Sequence, residues 1–124
     1  MGHVLQCSTD NLAVLSGTVA NDPTRHPLRS GSVVVSFDLT TRVGGDTASV
    51  PVAWHDPSDS AVASFVVGDA VLVVGTVRRR FFRVGGQTQS RTEVIVDALV
   101  PTRRVKSTRS LLAAVAAAVT PVDG

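Results

Sequence analysis

The chain has 124 residues, of which 44% are hydrophobic and 18% are charged, and its formal net charge is +2. This size fits one domain with one core, and the composition is globular, which excludes an intrinsically disordered chain. No apolar run approaches the roughly 20 residues of a membrane span, and residues 1 to 10 lack the features of a signal peptide. We therefore expect no membrane association and a cytoplasmic location, and the single cysteine, Cys7, suits a reducing compartment.

Three strands are predicted in the first half of the chain. Residues 11 to 19, NLAVLSGTV, have strand-like spacing and precede the turn signal NDP. The polar segment TRHPLRSGS leads to VVVSFDLTT (33 to 41), where alternate residues from Val33 to Leu39 form one apolar face. After the loop RVGGDT, ASVPVAW (48 to 54) is the third strand, in which Pro51 indicates an edge or a bulge.

The second half of the chain predicts a helix, two further strands and a tail. DPSDSAVASFVVGD (56 to 69) begins with Ser and Asp residues that can cap a short helix, which we expect to end at Gly68. AVLVVGTVRRRFFRV (70 to 84) is a long fourth strand, GGQTQS a hairpin loop and RTEVIVDALV (91 to 100) a fifth strand. SLLAAVAAAV (110 to 119) can form one short helix, packed or frayed. Residues 1 to 102 are the expected domain, and residues 103 to 124 the expected tail.

The order of these elements predicts the fold class. Five strands with one short helix between the third and the fourth match an all-β OB-fold, which is a five-stranded Greek-key barrel. An SH3-like barrel or an open sheet would share several of these strands. The long second and fourth strands and the position of the helix favour the OB-fold.

Charge is distributed unevenly along the chain. Residues 1 to 77 carry three arginines against seven aspartates, whereas residues 78 to 109 carry eight arginines and one lysine against two acidic residues. This segregation predicts a polyanionic partner for the basic part, with a solvated hairpin that binds nothing as the alternative. The same two interpretations apply to the first connection, which contains Arg25, His26 and Arg29, and to the basic residues that follow Pro101.

The segment RRRFFR (78 to 83) combines this charge with aromatic rings. In a strand, Arg78, Arg80 and Phe82 project to one face, while Arg79 and Phe81 project to the other. Single-stranded nucleic acid offers phosphates, which arginine binds, and base faces, on which aromatic rings stack, whereas duplex DNA hides its base faces. The segment therefore predicts a binding site for single-stranded nucleic acid.

An ordered series of motifs covers residues 11 to 100: NLxVLxGxVxxDP (11 to 23), RxG (29 to 31), FxLTT (37 to 41), GDAVLVVGxVRxR (68 to 80) and TEV (92 to 94). The series resembles the bacterial single-stranded DNA-binding proteins. The resemblance implies an OB-fold that wraps single-stranded DNA without sequence preference. It also implies a homotetramer, associated with the nucleoid, that acts in DNA replication, recombination or repair.

The resemblance also implies site residues. Phe82 and Trp54 stand where members of the family carry stacking aromatics, although Trp54 shares a face with Val50 and Val52, and the alternative is that it is buried. Phe81 is assigned to core or interface packing, and two other rings, Phe37 and Phe65, to the core. The predicted nucleic-acid site comprises Trp54, Arg78, Arg80, Phe82, Arg83, Arg91 and Arg29.

Two departures from the family bear on function. The loop RVGGDT lacks the additional tryptophan that many relatives carry, which implies a smaller stacking surface. The end AAAVTPVDG has a single aspartate, Asp123, in place of an acidic tip, so recruitment of repair enzymes by that route is not expected. The second departure favours a short accessory or paralogous member.

No motif predicts catalysis, a cofactor or a metal. The sequence contains no GxxxxGK[ST], no HExxH and no Cys/His spacing suited to zinc, and nothing in it points to a catalytic grouping around His55-Asp56 or Cys7. We therefore expect a binding protein that is not an enzyme. The alternative function is an OB-fold subunit that binds protein or RNA.

Overall fold

Six strands and two helices follow one another along the chain in a computed structural model that describes residues 5–6 and 9–119. Cys7 and Asp123 lie outside the described residues. The elements are β1 (Ala13–Val19), β2 (Thr24–Pro27), β3 (Val33–Val43), β4 (Asp46–His55), α1 (Asp59–Ala63), β5 (Ala70–Val84), β6 (Gln87–Pro101) and α2 (Val105–Ala118).

The strands form a closed barrel. Their order is β1-β5-β6-β4-β3-β2, and a second pairing of β1 with β3 closes the barrel over five strands, leaving β2 as a short addition at β3. All pairings are antiparallel except that of β4 with β6. Since α1 lies between the third and fourth barrel strands, the predicted OB-fold is confirmed and the open sheet is wrong.

The interior of the barrel is apolar. The alternation predicted for residues 33 to 39 is confirmed, because Val35, Phe37 and Leu39 are buried. The ring of Phe37 lies 5.3 Å from that of Phe65, centroid to centroid, so both rings belong to the core as expected. Phe65 follows α1, and its burial in the core ties the segment after this short helix to the barrel.

A second apolar cluster joins α2 to the outside of the barrel. Leu111 is fully buried against Leu72 and Val74 of β5 and Val100 of β6. Of the two interpretations of the alanine-rich segment, the packed helix is therefore correct, and it begins five residues earlier than predicted. The division of the chain at residue 102 stays a prediction. No helix within residues 5–6 and 9–119 is long and apolar enough to cross a membrane.

Several predicted boundaries differ from the structure for local reasons. Both hairpin ladders continue to a two-residue turn, so the predicted loops at 42 to 47 and 85 to 90 are too long. Gly85 and Gly86 have φ angles of 58° and 81°, which a tight two-residue hairpin turn requires. Helix α1 begins after Ser58, whose side chain accepts a hydrogen bond from the N–H of Ala61, and it ends at Ala63 rather than Gly68.

Two glycines allow backbones to approach closely where the barrel closes. A Cβ atom at Gly17 would meet the carbonyl of Thr40, and one at Gly75 would meet the carbonyl of Ile95. At Gly75 the register between β5 and β6 also shifts, which is typical of a β-bulge. The Gly75 contact and this irregularity lie just before the point where β5 and β6 continue beyond the barrel.

Candidate nucleic-acid interface

The hairpin of β5 and β6 extends beyond the barrel as a two-stranded ribbon, residues 78 to 91, which we call the arm. β5 pairs with β1 only as far as Gly75, and β6 pairs with β4 only at Val94 and Ile95. Past these points the two strands pair only with each other, and every arm residue except the half-buried Phe82 is exposed. The arm therefore presents two faces to its surroundings.

The outer face of the arm carries the cluster that the alternation predicted. Arg80 places its guanidinium carbon 5.5 Å from the centroid of the Phe82 ring, and Arg91 lies directly opposite Arg80 on β6. Arg78 projects to the same side, two residues earlier on the strand. The guanidinium–ring geometry is that of a cation–π contact.

The reverse face of the arm carries a second pair of this kind. The guanidinium carbon of Arg79 lies 5.4 Å from the centroid of the Phe81 ring. Phe81 is 65% exposed, so of its two assignments the core is wrong, because the arm extends beyond the barrel, and interface packing stays a prediction. Arg83 projects to the same side as Phe81 and donates a hydrogen bond to the Gly86 carbonyl at 3.0 Å.

A groove of about 430 Å³ lies at the base of the outer face. It crosses β3 and β4, the second and third barrel strands, and is bordered by the β2 region and the arm. This is the surface on which OB-folds bind oligonucleotides. Its lining residues are His26, Leu28, Val34, Ser36, Ala53, His55, Arg80, Arg91 and Glu93.

Carboxylates hold both groove arginines. Arg80 Nε lies 3.4 Å from Oε1 of Glu93, which is only 8% exposed, and Arg91 Nη2 lies 3.6 Å from Oδ1 of Asp38. A guanidinium has five N–H donors, so each arginine keeps donors for phosphate. The carboxylates thus fix the direction of the side chains, while they also reduce the positive charge of the groove.

Two histidines and a serine add polar groups to the groove. The Nε2 atom of His26 lies 2.8 Å from Oγ of Ser36, which is on the outer side of β3. His55 ends β4 and lines the groove together with Ala53, two residues before it. Glu93 and His55 were not among the predicted site residues. The signal for them was their position on the outer side of strands whose alternate residues are buried.

Asp56 follows the groove residue His55 and holds the end of one strand to the start of another. Its carboxylate accepts a hydrogen bond from the N–H of Val33 at 2.8 Å, and its own N–H donates to the Val33 carbonyl at 2.7 Å. These contacts join the end of β4 to the start of β3 and accompany an unusual positive φ of 49°. The hydrogen bond from Val33 and a second from Ser32 lower the pKa of the Asp56 carboxyl below its ordinary value.

Three predicted site residues lie away from the groove. Trp54 is half-buried and packs against the barrel core on the opposite side of β4 from its neighbours Ala53 and His55. Arg29 lies in the turn after β2, and Arg83 is on the reverse face of the arm. The structure thus brings Arg78, Arg80, Phe82 and Arg91 together and separates the other three, whose nucleic-acid contacts stay predictions.

Other charged residues of the candidate regions are held in ion pairs. Arg25 contacts Asp59 at 3.2 Å, and Arg103 contacts Asp69 at 3.1 Å while donating a hydrogen bond to the Ser64 carbonyl. Arg103 therefore ties the segment after β6 to the loop after α1. In the described part of the chain, no three His, Cys, Asp or Glu side chains come together as a metal site would require.

Comparisons with known proteins give one class of match. No protein-family model matches the chain, and no curated protein matches it. Among solved structures, the chain is similar to a Plasmodium falciparum SSB in complex with ssDNA, with a TM-score of 0.63 and 21% sequence identity. The match covers 73% of this chain and 93% of that chain. At this level of identity the likeness shows the fold, which is the OB-fold barrel.

Proposed function

We propose that the protein binds single-stranded DNA without sequence preference, through the groove and the outer face of the arm. The observation that carries the proposal is the Arg80–Phe82 pair, which stands beside the groove on the surface that OB-folds use for oligonucleotides. The similar solved structure is an SSB in complex with ssDNA, which supports the same ligand class. In this proposal the protein is a binding protein and not an enzyme.

In this proposal the arginine and phenylalanine side chains bind different parts of the DNA. Arg78, Arg80 and Arg91 contact phosphates, and this contribution depends on salt because each neutralised phosphate releases counterions. Phe82 stacks on a base, which requires an unpaired base but not a particular one. The combination gives affinity for any single strand and disfavours duplex, whose bases are already stacked on one another.

The proposal includes self-association. One edge of β1 pairs with β5, but on its other edge only Thr18 and Val19 pair with β3, so no described strand pairs with residues 13 to 17 on that edge. Proteins usually cover such an edge, and a second copy of β1 can do so. A homotetramer in the bacterial cytoplasm, acting in DNA replication, recombination or repair, is the corresponding biological proposal.

The decisive experiment is a titration of the purified protein into end-labelled oligo(dT), followed by fluorescence anisotropy. A duplex of equal length and heparin serve as competitors, since heparin offers anionic groups without bases. We expect oligo(dT) to bind more tightly than duplex, and heparin to compete less well as salt is raised. Equal affinity for single strand and duplex would contradict the proposal, because it would leave only the arginine contacts.

A further inference from the structure

The reverse face of the arm repeats the chemistry of the outer face. Arg79 and Phe81 are two residues apart on β5, as are Arg80 and Phe82, and the guanidinium–ring distances of 5.4 Å and 5.5 Å are nearly the same. Because side chains alternate along a strand, the two pairs point to opposite sides of one ribbon. The proposed function uses only the outer pair.

The reverse face differs from the outer face in charge. On the outer face Glu93 and Asp38 partly neutralise Arg80 and Arg91. Among the described residues, Arg79 and Arg83 have no carboxylate within 4 Å, and the β6 residues opposite Arg79, Phe81 and Arg83 are Thr92, Ser90 and Thr88. The reverse face is therefore cationic and carries hydroxyl groups but no acid.

The groups on this face are available to a ligand. Phe81 is 65% exposed, and the guanidinium of Arg79 lies 5.4 Å from its ring centroid. Arg79 donates one hydrogen bond to Ser90 Oγ at 2.9 Å, and Arg83 donates one to Gly86. Each guanidinium has five N–H donors, so these bonds hold the side chains in place and leave most donors unused.

We propose that the reverse face of the arm is a second binding subsite for single-stranded DNA, in which Phe81 stacks on a base and Arg79 and Arg83 contact phosphates. The inference rests on the proposed function, since it requires that the outer face binds the same strand. A strand that occupies both subsites passes around the arm. Charge complementarity selects nucleic acid as the occupant, because a second copy of this face would bring its arginines against like charges.

Oligonucleotides of two lengths can distinguish the two subsites, because only a long one can occupy both. Sites on OB-folds cover about 4 to 16 nucleotides, so oligo(dT) of about 5 and of about 16 nucleotides would sample one or both subsites. We expect Phe81→Ala to weaken binding of the long oligonucleotide by roughly five- to 150-fold, the range for loss of one stacked base. Binding of the short one, which the outer face and groove can hold alone, should stay within about twofold.

Matched variants separate stacking from other effects. Phe81→Leu keeps an apolar side chain without a π-face and should behave like Phe81→Ala. Val77→Ala, which trims another exposed apolar residue of the reverse side, should leave both affinities unchanged. Arg79→Gln should lower the magnitude of the logarithmic salt slope by about 0.7 for the long oligonucleotide only. Far-ultraviolet circular dichroism of each variant checks that the barrel is intact.

Each outcome decides between the proposals. If the parent protein fails to bind oligo(dT), the proposed function itself is wrong. If the parent binds and Phe82→Ala weakens binding while Phe81→Ala has no effect at either length, only the second subsite is wrong. A Phe81→Ala variant that changes the oligomeric state in light scattering but keeps the affinity for long DNA would also overturn it, and would assign this face to protein contacts.

Discussion

Replacing Phe82 by alanine tests the outer face most directly. The substitution removes a ring that would stack on a base, a contact worth about 1 to 3 kcal/mol, so affinity for oligo(dT) should fall roughly five- to 150-fold. It also releases Arg80, whose guanidinium lies over the ring, but a cation–π contact at an exposed site contributes only about 0.5 to 1 kcal/mol. Phe82 belongs to neither core cluster, so the free energy of unfolding should fall by less than about 1 kcal/mol.

The assay for this variant is fluorescence anisotropy with labelled oligo(dT) at several salt concentrations, beside urea unfolding of the same preparation. Val84→Ala is the matched control, because Val84 projects to the same side of the arm and is 53% exposed but has no π-face. Arg78→Gln should have the complementary effect and lower the magnitude of the salt slope by about 0.7, since Arg78 has no ion-pair partner among the described residues. The reasoning is refuted if Phe82→Ala unfolds like the parent and binds oligo(dT) with the parent affinity.

Three further predictions concern the fold. Leu111→Ala should lower the free energy of unfolding by about 2 to 5 kcal/mol in urea titrations, because Leu111 is fully buried, yet leave the affinity of the folded protein unchanged. Gly75→Ala should destabilise by about 1 to 3 kcal/mol because its Cβ would meet the Ile95 carbonyl, whereas Gly45→Ala, which faces open space, should have little effect in the same titration. The pKa of Asp56 is lowered in the folded protein, so its contribution to stability is present above the ordinary value of 3.8 and is lost as the pH falls through the folded value. Asp56→Asn should therefore lose less stability than the parent between pH 7 and pH 3, and parallel curves for the two proteins would contradict this.

The sequence predicted those parts of the fold that depend on local patterns. The bounds of β5, residues 70 to 84, agree with the prediction, because an apolar run begins after Gly68 and the pair Gly85-Gly86 ends the strand. β2 was not predicted, since its four residues, TRHP, are all exposed, include a proline and have no apolar period. It pairs with the N-terminal residues of β3, Val33 to Ser36, and this pairing can be seen only when β3 is already in place.

The candidate site, like the fold, could be predicted from the sequence only where a local pattern determines it. The alternation of Arg and Phe on β5 was readable because a strand has a period of two, whatever its surroundings. The groove was not readable, because barrel closure brings Glu93 next to residues of β3 and β4 that are about 40 to 60 positions earlier in the chain. For Trp54 the sequence left both a DNA contact and burial open; the residue lies on the core side of β4, as its alternation with Val50 and Val52 suggested, and its contact with DNA stays a prediction.

Two of the strand pairings that close the barrel are short, and their shortness affects how the protein folds and opens. The hairpins β3–β4 and β5–β6 are long ladders between neighbouring segments, whereas β4 meets β6 through only two residue pairs and β1 meets β3 through only two. Because loop-closure entropy favours the local hairpins, we expect the β4–β6 and β1–β3 pairings to form last during folding and to open first in the native state. Among the amides paired within the barrel, hydrogen exchange should therefore be fastest along these two short pairings and slowest where β5 and β6 pair beneath α2.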